Sequence, residues 1–120
     1  MLPVMLSEGH VNRGISLERI AALTAANAAR SLGLGHCKGA IAIGMDADFA
    51  IVDPKAVWTL DQSHIKSSAG YSIYEGAAFT GRVVHTIVRG HFVYRDNALV
   101  DDAIGTGRYL RRSIQPIRHY

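Results

Sequence analysis

The sequence is poor in most of the residue patterns that announce a chemistry. One cysteine, Cys37, excludes an internal disulfide and suits a reducing compartment. No run approaches the roughly 18 apolar residues that a membrane-spanning helix needs. The opening MLPVMLSEGH is apolar but short and has no basic lead, so it does not read as a signal peptide. These absences set the expectation of a cytoplasmic protein that does not enter a membrane. Thirteen Lys and Arg against ten Asp and Glu leave a charge of only +3, too small and too scattered to imply nucleic acid. The basic residues Arg108, Arg111, Arg112 and Arg118 gather in a terminal tail, which reads as a solvated end.

Ligand and nucleophile signatures are also missing. The six histidines, His10, His36, His64, His85, His91 and His119, form neither H-x-H nor H-E-x-x-H. His36 and Cys37 are adjacent, yet neighbouring side chains rarely aim at one point and no orienting acid accompanies them. GLGHCKG follows a helix instead of a strand and lacks the glycine register of a dinucleotide loop. Tyr71, Tyr74 and Phe79 fit a loop packed onto a sheet better than a base-stacking platform.

The apolar content, 48%, is enough for a globular core in one domain or in part of a larger one. ISLERIAALTAANAARSLGLG carries the clearest local signal. Ser16 is an N-cap, Glu18 sits where the helix dipole favours an anion, and Leu17, Ile20, Ala21, Thr24, Ala28 and Leu32 repeat at helical spacing. Gly33 is a C′ residue, so the spacing predicts a helix over 17–32. Beyond Gly39, AIAIG reads as a strand, MDAD as a turn, and FAIVD as a second strand stopped by Pro54. VWTL is a third apolar burst, and residues 61–82 read as a long loop. VVHTIVRGHFVY predicts a hairpin turning at Arg89-Gly90, with Val88 opposite His91 and His85 opposite Tyr94. Alternation then places His85 and His91 on opposite faces, where they cannot share a metal.

Asp46, Asp48 and Asp53 crowd into GMDADFAIVDP. A calcium loop needs more oxygen ligands and a distant glutamate, and here Phe49 and Ala50 follow at once. Asp residues cap backbone in turns, which accounts for all three without a metal. No catalytic, cofactor-binding or metal-ligating residue is assigned. The apolar MLPVML at the front suggests an internal element that packs against something further.

Three segments carry a resemblance: ISLERIAALTAANAARSLGL, KGAIAIGMDADFAIVDP and YEGAAFTGRVVHTIVRGHFVY. Together they make residues 2–112 similar to the carboxyl end of the cyclic amidohydrolases, the allantoinase, dihydroorotase and hydantoinase relatives. LPVMLSEG, VWTL and TGRVVHTIVRG lean toward allantoinase, whereas YEG is closer to hydantoinases. The resemblance implies an α+β piece: the last helix of a metal-dependent hydrolase TIM barrel, then a small antiparallel β-sandwich. Residues 1–36 would be the barrel end, 37–100 the sandwich with its loop at 61–82, and 101–120 the basic tail. Relatives cleave a cyclic amide C–N bond with water activated by a divalent metal, typically zinc. Their ligands lie upstream of the matching segment, and none maps onto a residue here. His10 in particular is in no such motif. Where relatives carry Asn-Pro-Ala, this chain has Asn27-Ala28-Ala29, which simply continues the helix. The expected chain is therefore inactive alone, with a missing amino-terminal part of the enzyme or further copies of itself as partners. The alternative is a stand-alone interaction module without catalysis.

Overall fold

A computed structural model describes residues 1–113, so His119 and Arg118 lie outside the described residues. Two helical stretches precede one antiparallel sheet. The first, α1 (2–12), is α-helical at Leu2–Val4 and π-helical over Met5–Asn12. The second, α2 (17–31), starts where the Ser16 hydroxyl accepts the Arg19 N–H at 3.2 Å. It runs through a π-wound stretch at Ala22–Ala26 and ends at Ser31. The cap and length match the sequence expectation to one residue.

The sheet has strand order β1-β2-β3-β4, with β1 at Phe49–Thr59, β2 at Ala78–Val88, β3 at His91–Arg95 and β4 at Ala98–Leu99. All three pairings are antiparallel. This is the α+β arrangement expected, with one sheet formed among the described residues.

Four expectations need correcting. Pro54 does not stop a strand: β1 continues through it to include VWT. Pro54 falls within a register irregularity between Asp53 and Val57 on an edge strand, where no ladder N–H is lost. AIAIG is not a strand but bends and turns, with Ile41 and Ile43 almost fully exposed. Two β-branched residues have strand propensity, but here no neighbouring strand takes their ladder bonds. The supposed loop end, 78–82, is the first half of β2, paired with Val57, Trp58 and Thr59. Finally, Val88 does face His91, but His85 faces Arg95, because a register shift between Thr86 and Ile87 moves the partner by one.

The hairpin turn itself is as expected. Arg89 and Gly90 have φ of 49° and 82°, the pair of positive values that matches the twist of the flanking strands.

The helices meet the sheet through α1. Leu6 is 4% exposed and lies over Gly81, where an added Cβ would stand 2.9 Å from the Leu6 Cβ. Ser7, also buried, accepts the Thr80 N–H at 3.2 Å across 73 positions of sequence. Gly9 in turn lies near Ile15 and Ile20, so α2 packs on α1 and α1 packs on β2. The Ser7→Ala substitution is expected to leave the Thr80 N–H unpaired and to cost about 1 kcal/mol in a urea titration. Apolar packing supplies little more: Leu6, Ile20, Ala29 and Phe79 are the buried apolar side chains among the described residues.

Candidate functional site

Two polar clusters and one groove hold the chemistry that this fold brings together. The first cluster answers what the crowded aspartates do. Lys38 Nζ lies 2.7 Å from Asp46 Oδ2 and also bonds Asp48 Oδ2. The other oxygen, Asp48 Oδ1, accepts the Arg89 N–H at 2.8 Å, and the Gly90 N–H donates to the Ala47 carbonyl at 2.9 Å. The MDAD turn thus clasps the hairpin tip and holds Arg89 in its positive φ. Burial alone would raise the Asp48 carboxyl. The bonds from Lys38 and the Arg89 N–H outweigh it and hold the group below the usual carboxylate range. Burial would likewise lower Lys38, but its bonds to Asp46 and Asp48 keep it above its ordinary value. Asp53 stands apart and is not in the turn that its place before Pro54 suggested: it lies within β1, and its carboxylate accepts the Lys55 N–H at 2.9 Å at the register irregularity between Asp53 and Val57.

The second cluster lies where the sequence promised only loop. Asp61 caps the short helix Gln62–His64, and its Oδ1 accepts the Ser63 N–H at 2.8 Å. Bonds from Ser63, set against slight desolvation, hold the exposed Asp61 carboxylate below its usual range. His64 Nδ1 is 3.0 Å from Asp61 Oδ1, and His64 Nε2 is 3.2 Å from the Arg82 guanidinium. A guanidinium only donates, so Nε2 accepts and the ring proton sits on Nδ1, facing Asp61. The Asp61 N–H, 3.3 Å from Nδ1, cannot then be bonded to it. Trp58 completes the cluster: its ring centroid is 5.1 Å from that of His64 and 5.3 Å from the Arg82 guanidinium carbon. Its Nε1 donates to the Gly81 carbonyl at 3.1 Å.

Asp61, Ser63 and His64 are the residue types of a hydrolytic triad, but their bonds are wrong for one. The Ser63 hydroxyl bonds Asp61, not His64, and Arg82 takes the His64 nitrogen that a serine would need. Only the i, i+2 spacing of Asp61 and Ser63 was available in the sequence to reveal this cap.

The remaining candidates stay apart. His36 is exposed, and the Cys37 thiol points to the Leu34 carbonyl at 3.6 Å. His10 Nδ1 lies 2.8 Å from the Ile15 carbonyl, which ties it to the connection between helices. His85 packs edge-on against Phe92, with centroids 5.6 Å apart. Tyr74 meets Phe79 edge-on at 6.2 Å, and Tyr71 is exposed. Arg108, Arg111 and Arg112 make none of the ion pairs found among the described residues.

The groove, of about 810 Å³, runs between α2 and β1. Leu17, Ile20, Ala21 and Ala25 line one side and Phe49 and Val52 the other. Its ionisable lining groups are Lys38, Asp46 and Asp48, all engaged with one another. The Thr24 hydroxyl on its wall is spent on the Ile20 carbonyl at 2.8 Å. Every reactive group lining this concavity is therefore already bonded within the chain.

Residues 7–94 match the sequence profile of the amidohydrolase family. The chain belongs to the amidohydrolase family. An allantoinase from Rubrobacter xylanophilus is 40% identical over 111 residues, covering 92% of this chain and 24% of its own length. A D-phenylhydantoinase from Escherichia coli is 38% identical with the same coverage. Among solved structures, the dihydropyrimidinase from Brevibacillus agri superposes with a TM-score of 0.86 at 34% identity. That superposition covers 93% of this chain and 24% of the neighbour. This amidohydrolase chain spans about a quarter of the length of the curated relatives it matches.

The divalent metal implied for this family can be tested against the residues present. Among the described residues, no three His, Cys, Asp or Glu side chains come together to hold a metal ion. The two carboxylates that do converge, Asp46 and Asp48, already enclose a cation, the Lys38 ammonium. The described residues do not fit a catalytic metal.

Proposed function

We propose that this chain is a non-catalytic, structural portion of a metal-dependent cyclic amidohydrolase, acting in hydrolysis of a cyclic amide C–N bond without supplying the reacting groups. Allantoin-, hydantoin- and dihydroorotate-type rings are the substrate class of the whole enzyme. The 1–36 segment would serve as the end of a barrel and 37–100 as part of a β-sandwich, in a cytoplasmic enzyme. The groove carries this reading: a concavity lined by apolar side chains, whose few polar groups are already paired, is built to be packed against. Catalysis of amide hydrolysis needs the opposite, namely free groups to activate water and to stabilise a developing oxyanion.

The test is direct. The purified 120-residue chain, supplied with zinc, is expected to leave allantoin, hydantoin and dihydroorotate unhydrolysed above the buffer rate. Turnover that co-purifies with the chain overturns the reading.

A further inference from the structure

We propose that His64 is a pH-sensitive latch: protonation of its ring breaks the bond to Arg82 and frees the first part of the connection between β1 and β2, residues 61–71, from the sheet. Asp61, His64, Arg82 and Trp58 all lie outside the groove.

The connection is fastened at few points. Its ends are closed by the Leu60 N–H on the Ala77 carbonyl at 3.0 Å and the Gly76 N–H on the Leu60 carbonyl at 2.8 Å. Between those ends, the His64–Arg82 bond is the one hydrogen bond from residues 61–75 to a strand among the described residues. Tyr74, edge-on to Phe79, holds the far half. From Asp61 to Tyr71 only His64 and Ile65 are even half-buried. The Gln62 side chain donates to the Gly70 carbonyl at 2.7 Å, which ties this half to itself and not to the sheet.

Two charged groups face the ring, Asp61 from its own short helix and Arg82 from β2, while β1 presents the uncharged Trp58 indole. In the neutral ring, Nε2 accepts from the guanidinium at 3.2 Å and Nδ1 carries the proton, facing Asp61. A second proton must go onto Nε2. Two donors, both cationic, then face each other across that distance. Asp61 attracts the imidazolium but does not oppose release, because it stands three residues away on the same short helix and leaves with His64. Bonds from Ser63 hold the Asp61 carboxylate below its usual range, so it stays charged while a histidine titrates. Arg82 remains on the sheet: its guanidinium lies over Trp58, whose Nε1 donates to the Gly81 carbonyl at 3.1 Å. The contact to Arg82 is thus what differs between the latched and the freed connection, and it is the one that protonation abolishes. The latch is closed at pH 8 and opens as pH falls through the histidine range.

Lys66 is the only Lys or Arg within residues 61–77, and Trp58 is the only tryptophan. Trypsin cleavage after Lys66 in the 120-residue chain therefore reads release. Tryptophan emission, which a neighbouring imidazolium quenches, reads protonation. The reference is His64→Gln, whose amide oxygen can accept from Arg82 but takes up no proton. At pH 8 the parent and His64→Gln are expected to be cleaved at equal rates, and at pH 5.5 the parent roughly fivefold faster or more. The emission of the parent, and not that of His64→Gln, should fall through the same midpoint. Arg82→Met keeps an apolar stem over Trp58 and removes the donor, so it should show the faster cleavage already at pH 8. If Arg82→Met does not fold, the ratio of parent to His64→Gln decides alone. Circular dichroism of parent and His64→Gln should be the same at both pH values. A cleavage ratio that stays constant between pH 8 and 5.5 overturns the latch, as does quenching without faster cleavage. Loss of ellipticity in the parent at pH 5.5 also overturns it, because the sheet and not the connection would then be opening.

Discussion

Substitution of Gly81 by alanine is expected to cost about 2–5 kcal/mol, a large share of the stability available to a domain of this size. Two effects add. Gly81 has a φ of 94°, a conformation that penalises any side chain by about 1–2 kcal/mol. The new Cβ would also stand 2.9 Å from the Leu6 Cβ, on the helix that joins the helical layer to the sheet. Leu6 cannot swing away, because it is one of the few buried apolar side chains and its Cβ is fixed by the α1 backbone. Gly90 provides the comparison. It has a similar φ of 82° but nothing within 4 Å, so Gly90→Ala should show the backbone penalty alone. Urea midpoints measure both. Equal costs at the two positions would mean that α1 does not rest on β2 at Gly81.

The second large effect is at the Lys38–Asp48 clasp. Asp48→Ala removes the partner of Lys38 and the acceptor of the Arg89 N–H together, an expected loss of about 1–3 kcal/mol near pH 7. Asp48→Asn keeps an oxygen for the Arg89 N–H and removes the charge, so it should cost less. The pH dependence follows from the two directions of shift. Asp48 is held low, so its contribution is present above the usual carboxylate value of about 4 and is lost as pH falls through the depressed value. Lys38 is held high, so its contribution is present below its usual value of about 10.4 and is lost as pH rises through the raised one. The stability difference between parent and Asp48→Asn should thus be flat from about pH 5 to 9 and shrink toward both extremes. A difference that stays constant down to pH 2 would remove the clasp from the account.

Both effects bear on what the sequence could reveal. The helix at Ser16 and the hairpin at Arg89-Gly90 were legible because their causes are local: a hydroxyl three residues from the N–H it caps, and a turn whose twist a glycine admits. Pro54 misled because proline ends a strand only where its missing N–H matters. Whether β1 lies at an edge is a property of the whole sheet. Ile41 and Ile43 misled in the opposite sense, since strand propensity becomes a strand only when a neighbour is there to pair with it. Asp46 and Asp48 lie in the turn read for them, whereas Asp53, read as a turn residue because Pro54 follows it, pairs with Arg82 inside β1. The cation between the first two, Lys38, sits ten residues from Asp48 and is brought back only by the fold. The Asp61–His64–Arg82 chain was hidden for the same reason, because Arg82 lies 18 residues away on β2. The family, by contrast, was readable from three quoted segments, and the matches to allantoinase and hydantoinases agree with it.

The central claim is that these residues form a surface for packing and hold no centre that activates water. Elemental analysis of the chain, purified after growth in zinc and dialysed against buffer, tests it most directly when run beside the intact Rubrobacter xylanophilus allantoinase. The account predicts far less than one equivalent of divalent metal per 120-residue chain. One firmly retained equivalent, bound through side chains of this chain alone, would contradict it.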